Sequence, residues 1–214
     1  MKAVIVAKTR MKQNICVGAV DADTGDLLRL ILRSDAKKGY YSWQEFNANI
    51  GDLIDLEGSK APTFKPPDFE PPHSAEDFLV DKWRRTGEKE KDLSAWIRSR
   101  CLIWKGDRSS LFDGKLRFTS WGKGHIDRGD PLPTHSVGFW ELPAPLTLKH
   151  GPDGKPYYTA VGITPPIAIK YVGVGKPEEE LPVGRVIRLS LGRWWAPDDG
   201  SMPEACWLQI SGWY

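Results

Sequence analysis

Five prolines stand within residues 62–72. No helix or internal strand can run through such a stretch, because each proline fixes φ and removes a backbone donor. The 214-residue chain is therefore interrupted after its first third. On either side lie short apolar runs separated by turn residues. Residues 2–8, 14–20 and 27–33 read as three strands, with Asp21-Ala22-Asp23-Thr24-Gly25 turning the second into the third. Residues 51–57 read as a fourth strand. Near the other end, residues 136–142, 157–163, 167–173, 185–191 and 205–211 are strand candidates. Pro152-Asp153-Gly154 marks a hairpin turn among them. Many short strands with regular turn signals suggest small barrels or a sandwich.

The middle is mixed. Ser42-Trp43-Gln44-Glu45 has the form of a capping box and predicts a short helix. Ser74-Ala75-Glu76-Asp77 predicts another, running into Phe78, Leu79 and Trp83. Residues 92–100 predict a third, with Leu93, Trp96 and Ile97 on one face. Residues 105–135 read as loops with one strand near 115–119. The expected organisation is a first barrel core over 1–60, a Pro-rich and mixed connection over 61–134, and a second barrel over 135–214.

Charge separates along the chain although the net is only +2. Residues 45–81 hold nine acids and two lysines, and residues 82–128 hold thirteen cations and six acids. Either these blocks pack on each other, or the basic one faces an anionic polymer. A wholly basic, histone-like binder is excluded. The apolar run at residues 3–7 is far too short to span a bilayer or to form a secretory h-region. The three cysteines, Cys16, Cys101 and Cys206, form no CxxC pair and suggest neither a zinc site nor a disulfide framework. A cytoplasmic protein without membrane association, metal or cofactor is expected.

No HExxH, GxSxG or Walker A motif is present. Gly173-Val174-Gly175-Lys176 lacks the following helix of a phosphate loop. His73 with Glu76 and Asp77, and His125 with Asp127, are the available acid/base groups. Aromatic and basic residues interleave more conspicuously. Trp83-Arg84-Arg85, Trp96-Ile97-Arg98, Trp104-Lys105, Trp121-Gly122-Lys123 and Arg193-Trp194-Trp195 have the composition of a groove that holds phosphates while rings stack on bases. Trp140, Trp207 and Trp213 lie in apolar strand patterns and are expected in a core, as are Trp83 and Trp96 on helical faces. Trp121, Lys123, Arg193, Trp194 and Trp195 remain as binding candidates. Trp194 and Trp195 are adjacent, so at least one should lie outside the core.

Val4-Ile5-Val6-Ala7-Lys8-Thr9-Arg10-Met11-Lys12, Asn14-Ile15-Cys16-Val17-Gly18 and Gly25-Asp26-Leu27-Leu28-Arg29-Leu30 together resemble the opening of the prokaryotic dual OB-domain family. His73-Ser74-Ala75-Glu76-Asp77-Phe78-Leu79 and Ser190-Leu191-Gly192 followed by Trp194 resemble its middle and C-terminal elements. In this chain Met11 interrupts the family's Ser-Arg-Lys-like turn. The resemblance implies two OB folds and a nucleic-acid-binding or nucleic-acid-modifying role, with no established reaction. On an OB barrel the ligand face lies on strands two and three. That model places Arg29 and Arg33 on one face, Leu28, Leu30 and Leu32 in the core, and Lys8, Arg10 and Lys12 on the turn between the first two strands.

The expectation is thus a mainly β, dual OB-like protein that binds single-stranded DNA or RNA. It would act beside a partner enzyme or in a prokaryotic nucleic-acid-processing or defence assembly. A nucleic-acid-modifying enzyme using His73, Glu76 and Asp77, and a protein–protein interaction module, are the alternatives.

Overall fold

The computed structural model describes residues 1–11, 13–36, 42–61, 69–160, 166–198, 200 and 202–214. The chain divides into two units, Met1–Leu102 with Tyr214, and Ile103–Trp213.

In the first unit, β1 (Lys2–Met11), β2 (Asn14–Asp21) and β3 (Leu27–Leu32) form an antiparallel meander, followed by the single turn α1 (Arg33–Ala36). β4 (Asp52–Lys60) pairs with β1, and β5 (Asp77–Lys89) lies parallel to β3 and antiparallel to β4. The order β1-β2-β3-β5-β4 closes on itself. Alternation along β3 sends Leu28 and Leu30 into the core, which Ala3, Ile5, Val17, Ile54 and Val80 complete. Helix α2 (Leu93–Arg100) follows, as its sequence predicts, capped by the Asp92 carboxylate on the Ala95 amide at 2.9 Å. Gly25 makes the β2–β3 turn at φ 79°, and a Cβ there would stand 2.3 Å from the Arg100 carbonyl oxygen.

Two helix expectations fail. Residues 74–83 form only a 3-10 turn, His73–Ala75, before β5 begins. Phe78 and Val80 face the barrel core, while Leu79 packs with Ile31 and Phe69 on the other side. A strand buried on both faces loses the alternation that identifies it. The Ser42-Trp43-Gln44-Glu45 box starts no helix either. Trp43 bridges to Ile15 through two backbone hydrogen bonds of 2.7 and 2.8 Å, and its indole donates to the Leu30 carbonyl at 2.8 Å. Those contacts hold the segment extended over the barrel, where Phe46 stacks on Trp83 at 4.5 Å.

The second unit begins with β6 (Ile103–Trp104) and a kinked 3-10 segment, Arg108–Gly114. A small hairpin, β7 (Arg117–Phe118) and β8 (Gly124–Asp127), comes next. The main sheet is built from β9 (Val137–Glu141), β10 (Leu146–His150), β11 (Pro156–Thr159), β12 (Ala168–Tyr171), β13 (Glu180–Leu181), β14 (Val186–Leu191) and β15 (Ala205–Trp213). Its order is β13-β10-β11-β12-β15-β14-β9-β6, with β12 parallel to β15. β10 pairs with β11 while β9 pairs with β14, so these two consecutive strands share the part that β1 plays alone in the first unit. The sheet curls around a core that includes Tyr158, Ile169, Leu189, Cys206, Leu208 and Ile210. The Pro-Asp-Gly turn does make a hairpin, but it joins β11 to β10, a strand outside the candidates from sequence. Both halves are OB-like, and the chain is mainly β with few short helices.

Candidate functional site

On the first barrel, Lys8, Arg29 and Arg33 are held by the protein itself. Lys8 lies within β1 rather than on a turn, and its ammonium donates to the carbonyls of Phe46 and Ala48 at 2.8 and 3.0 Å. Arg10 is also in β1, exposed, with Ile15 opposite. Lys12 lies outside the described residues. Arg29 projects from β3 away from the core, directly across from Asp77 on β5, and the two form an ion pair. The same guanidinium donates to the His73 carbonyl at 3.2 Å. Arg33 falls in α1 and binds Asp81 at 2.6 Å. Along β4 and β5 the acidic and basic blocks meet directly. Asp55 faces Arg84 at 2.8 Å, Glu57 faces Lys82 at 3.4 Å, and Asp52 reaches Arg85 at 3.1 Å. For these residues the charge asymmetry is satisfied by packing.

His73, Glu76 and Asp77 do come together, at the start of β5, and all are buried to 3% exposure or less. With Asp77 paired to Arg29, the group clasps the 3-10 turn to β3 and β5. His125 and Asp127 lie 3.6 Å apart on β8, where Arg117 also approaches Asp127 at 3.5 Å. Among the described residues no group of three or more His, Cys, Asp or Glu is arranged to hold a metal.

The second barrel is different. Strand alternation turns Tyr158, Ile169, Leu208 and Ile210 inward and leaves Tyr157, Lys170, Trp207 and Gln209 on the outer face. The register then sets Tyr157 beside Lys170 and Lys170 beside Gln209, in one row across β11, β12 and β15. Around that row lies a cleft of about 580 Å³. Among the described residues its lining includes four cations, Lys123, Lys155, Lys170 and Arg193, against one carboxylate, Asp153. Three aromatic rings, Tyr157, Trp195 and Trp207, share it.

These charges sense one another. Burial holds the Lys170 ammonium below the usual lysine range, and the neighbouring Lys155 and Lys123 charges push the same way against Asp153. Asp153 pairs with Lys155 at 2.7 Å, and accepting hydrogen bonds from Lys155 holds its carboxyl below the usual range. The Lys123 ammonium lies 5.6 Å from the Tyr157 ring centroid. Burial, then the Asp153 charge, raises the Tyr157 phenol, so it remains a proton donor at neutral pH.

Lys123 is delivered by the β7–β8 hairpin. Gly122 takes φ 79° at its tip, and a Cβ there would stand 2.3 Å from the Pro166 carbonyl oxygen. The Gly122 carbonyl accepts from the Ala168 amide at 2.9 Å, fastening the hairpin to the start of β12. Trp121, beside it, is 80% exposed. The adjacent tryptophans divide as expected. Trp194 packs on the core with the Arg128 guanidinium 4.5 Å from its ring centroid, and Trp195, 56% exposed, borders the cleft.

Of the candidates from sequence, Lys123, Arg193 and Trp195 share the cleft, and Trp121 stands on the same hairpin as Lys123. Trp207 is a correction. It was expected in the core, yet Cys206 and Leu208 occupy the inward positions on β15. Trp207 lies outward, 5.0 Å from the His125 ring. Trp140 is buried and Trp213 packs on the core, as expected. Lys170, Tyr157 and Gln209 are additions that only the strand register reveals, and Lys155 enters from the β10–β11 turn.

No curated protein matches the chain. Among solved structures it is similar to the HINa domain of Ifi202 in complex with a 20-base-pair double-stranded DNA, at 11% identity and TM-score 0.36, covering 99% of this chain and 95% of that one. The p204 HINb domain is similar at 11% identity and TM-score 0.33, covering 98% and 95%. A murine DNA-binding protein bound with double-stranded DNA is similar at 9% identity and TM-score 0.32, covering 100% and 95%. At such scores these likenesses carry no inference about ligand. The family model for the dual OB-containing domain, by contrast, matches residues 1–213, nearly the whole chain, in agreement with the two barrels of one strand order, and the chain belongs to that family.

Proposed function

We propose that the chain binds single-stranded nucleic acid, DNA or RNA, on the outer face of the second barrel. One observation carries this reading. Among the described residues, four cations and three aromatic rings share one cleft with a single carboxylate, on the barrel strands where an OB fold presents its ligand face. Cations in such a groove meet phosphates, and the open faces of Trp195 and Trp121 stack on bases that a duplex would keep paired. Arg10, near the end of β1, and Lys12, two residues on in the sequence, are proposed as secondary phosphate contacts of the first barrel. The proposal extends to a role beside a partner enzyme, in a prokaryotic nucleic-acid-processing or defence assembly of the cytoplasm.

Titrating short single-stranded DNA and RNA at low salt, while following tryptophan emission, tests the proposal. Binding is expected to quench emission and to weaken steadily as salt rises. Unchanged emission with no salt-dependent association would sink it.

A further inference from the structure

The two sides of the cleft come from different elements and have different chemistry. Lys123 from the hairpin, Lys155 from the β10–β11 turn and Lys170 from β12 gather about Tyr157 and Asp153. Trp195 and Met202, from the segment between β14 and β15, supply an exposed apolar surface beside them.

We propose that this cleft grips the phosphorylated end of a strand, with the terminal phosphomonoester on Lys123, Lys155 and Lys170 and the terminal base against Trp195. The inference rests on the strand-binding reading above and adds which part of the strand is held. Charge matching supports it. Among the described residues, three ammonium groups and the Arg193 guanidinium line the cleft against one carboxylate, Asp153, which leaves an excess of three positive charges. A phosphomonoester carries about −1.5 to −2 at neutral pH, whereas an internal phosphodiester carries about −1. The monoester therefore offsets up to about twice as much of that excess as the diester does. The crowding of like charge at Lys170 is relieved by the same dianion. Tyr157 adds a neutral hydroxyl donor among the lysines. A cleft of about 580 Å³ also has the size of a small-molecule site, in the range of about 300–1,000 Å³, rather than of a long track.

The test uses the full chain and internally labelled hexathymidylates carrying a 5′-phosphate, a 3′-phosphate or hydroxyls at both ends, with fluorescence anisotropy as the readout. One phosphorylated form is expected to bind about tenfold tighter than the hydroxyl form, the worth of one good hydrogen bond to a charged group. Lys155→Gln and Lys170→Gln should each bring that ratio toward one. Lys105→Gln, on an exposed residue that does not line the cleft, should preserve it. Equal affinity of all three strands overturns end recognition while leaving strand binding intact. No binding by any strand overturns both. Thymidine 5′-monophosphate competing as strongly as the phosphorylated hexamer overturns the strand end in favour of a free nucleotide.

Discussion

The two barrels share one plan of strand connection and use the same position in opposite ways. In each, the third strand runs parallel to the last, and its outward residue is a cation, Arg29 in the first barrel and Lys170 in the second. Across from Arg29 stands Asp77, and across from Lys170 stands Gln209. A carboxylate in that place turns the cation into an internal fastening. An amide leaves its charge to act on whatever enters the cleft. A shared fold therefore does not make the two faces equivalent, because the residue on the neighbouring strand decides what each cation does.

The sharpest way to break this comparison is to remove each partner in turn. Asp77→Ala leaves Arg29 largely buried and uncompensated, and should destabilise the first barrel by about 3–5 kcal/mol, read from urea unfolding. Lys170→Ala should stay within about 0.5 kcal/mol of the parent in the same measurement. Equal losses at both sites would erase the distinction.

The next effect separates the aromatic residues. Trp195→Ala is expected to weaken strand binding by about 1–3 kcal/mol, measured by anisotropy, with no change in unfolding. Trp43→Phe, which deletes the buried hydrogen bond to the Leu30 carbonyl, should cost about 1 kcal/mol of stability and leave affinity unchanged.

A transplant comes third. Gln209→Glu gives the second barrel the carboxylate that the first possesses. Affinity should fall about tenfold, and the slope of log affinity against log salt should flatten by roughly 0.7, the contribution of one phosphate contact to a single strand. An unaltered slope would show that Lys170 meets no phosphate.

The smallest effect is in pH. Lys170 faces Lys155, Lys123 and Asp153, and burial with the two like charges depresses its pKa below 10.5. Phosphate favours the protonated form, so affinity should decline as pH rises through that lowered value, before an ordinary lysine loses its proton. Lys170→Gln should remove this early part of the decline, as a pH series of titrations would show.

Much of the fold is legible because strands such as β3 bury one face and expose the other, and so alternate in sequence. β5 is not, because Asp77, Phe78, Leu79 and Val80 are all buried, and such a run has no period to read. The capping-box residues were outweighed by a distant contact, the Trp43 indole reaching the Leu30 carbonyl. For the site, neighbours in sequence were readable. Arg193 and Trp195 announce themselves, as do Trp121 and Lys123. Lys170 and Gln209 are thirty-nine positions apart, and only the parallel pairing of β12 with β15 makes them adjacent. Trp207 could have been found by noting that Cys206, Leu208 and Ile210 already claim the inward side.

The fastening of the β7–β8 hairpin has a further consequence. Arg108 donates to the Pro166 carbonyl at 2.6 Å, the Ala168 amide donates to the Gly122 carbonyl, and Gly122 has no room for a side chain. Lys123 and Lys170 thereby belong to one rigid frame before any ligand arrives. Little backbone ordering is left there for the protein to undergo on association, so much of the disorder lost must come from the strand and from the lysine side chains. Thymine-rich strands, which stack weakly on themselves, should then dock with a smaller enthalpic penalty than adenine-rich ones, whose bases must first part company. Sequence preference in such a cleft would be written in the mechanics of the ligand rather than in hydrogen bonds to its base edges.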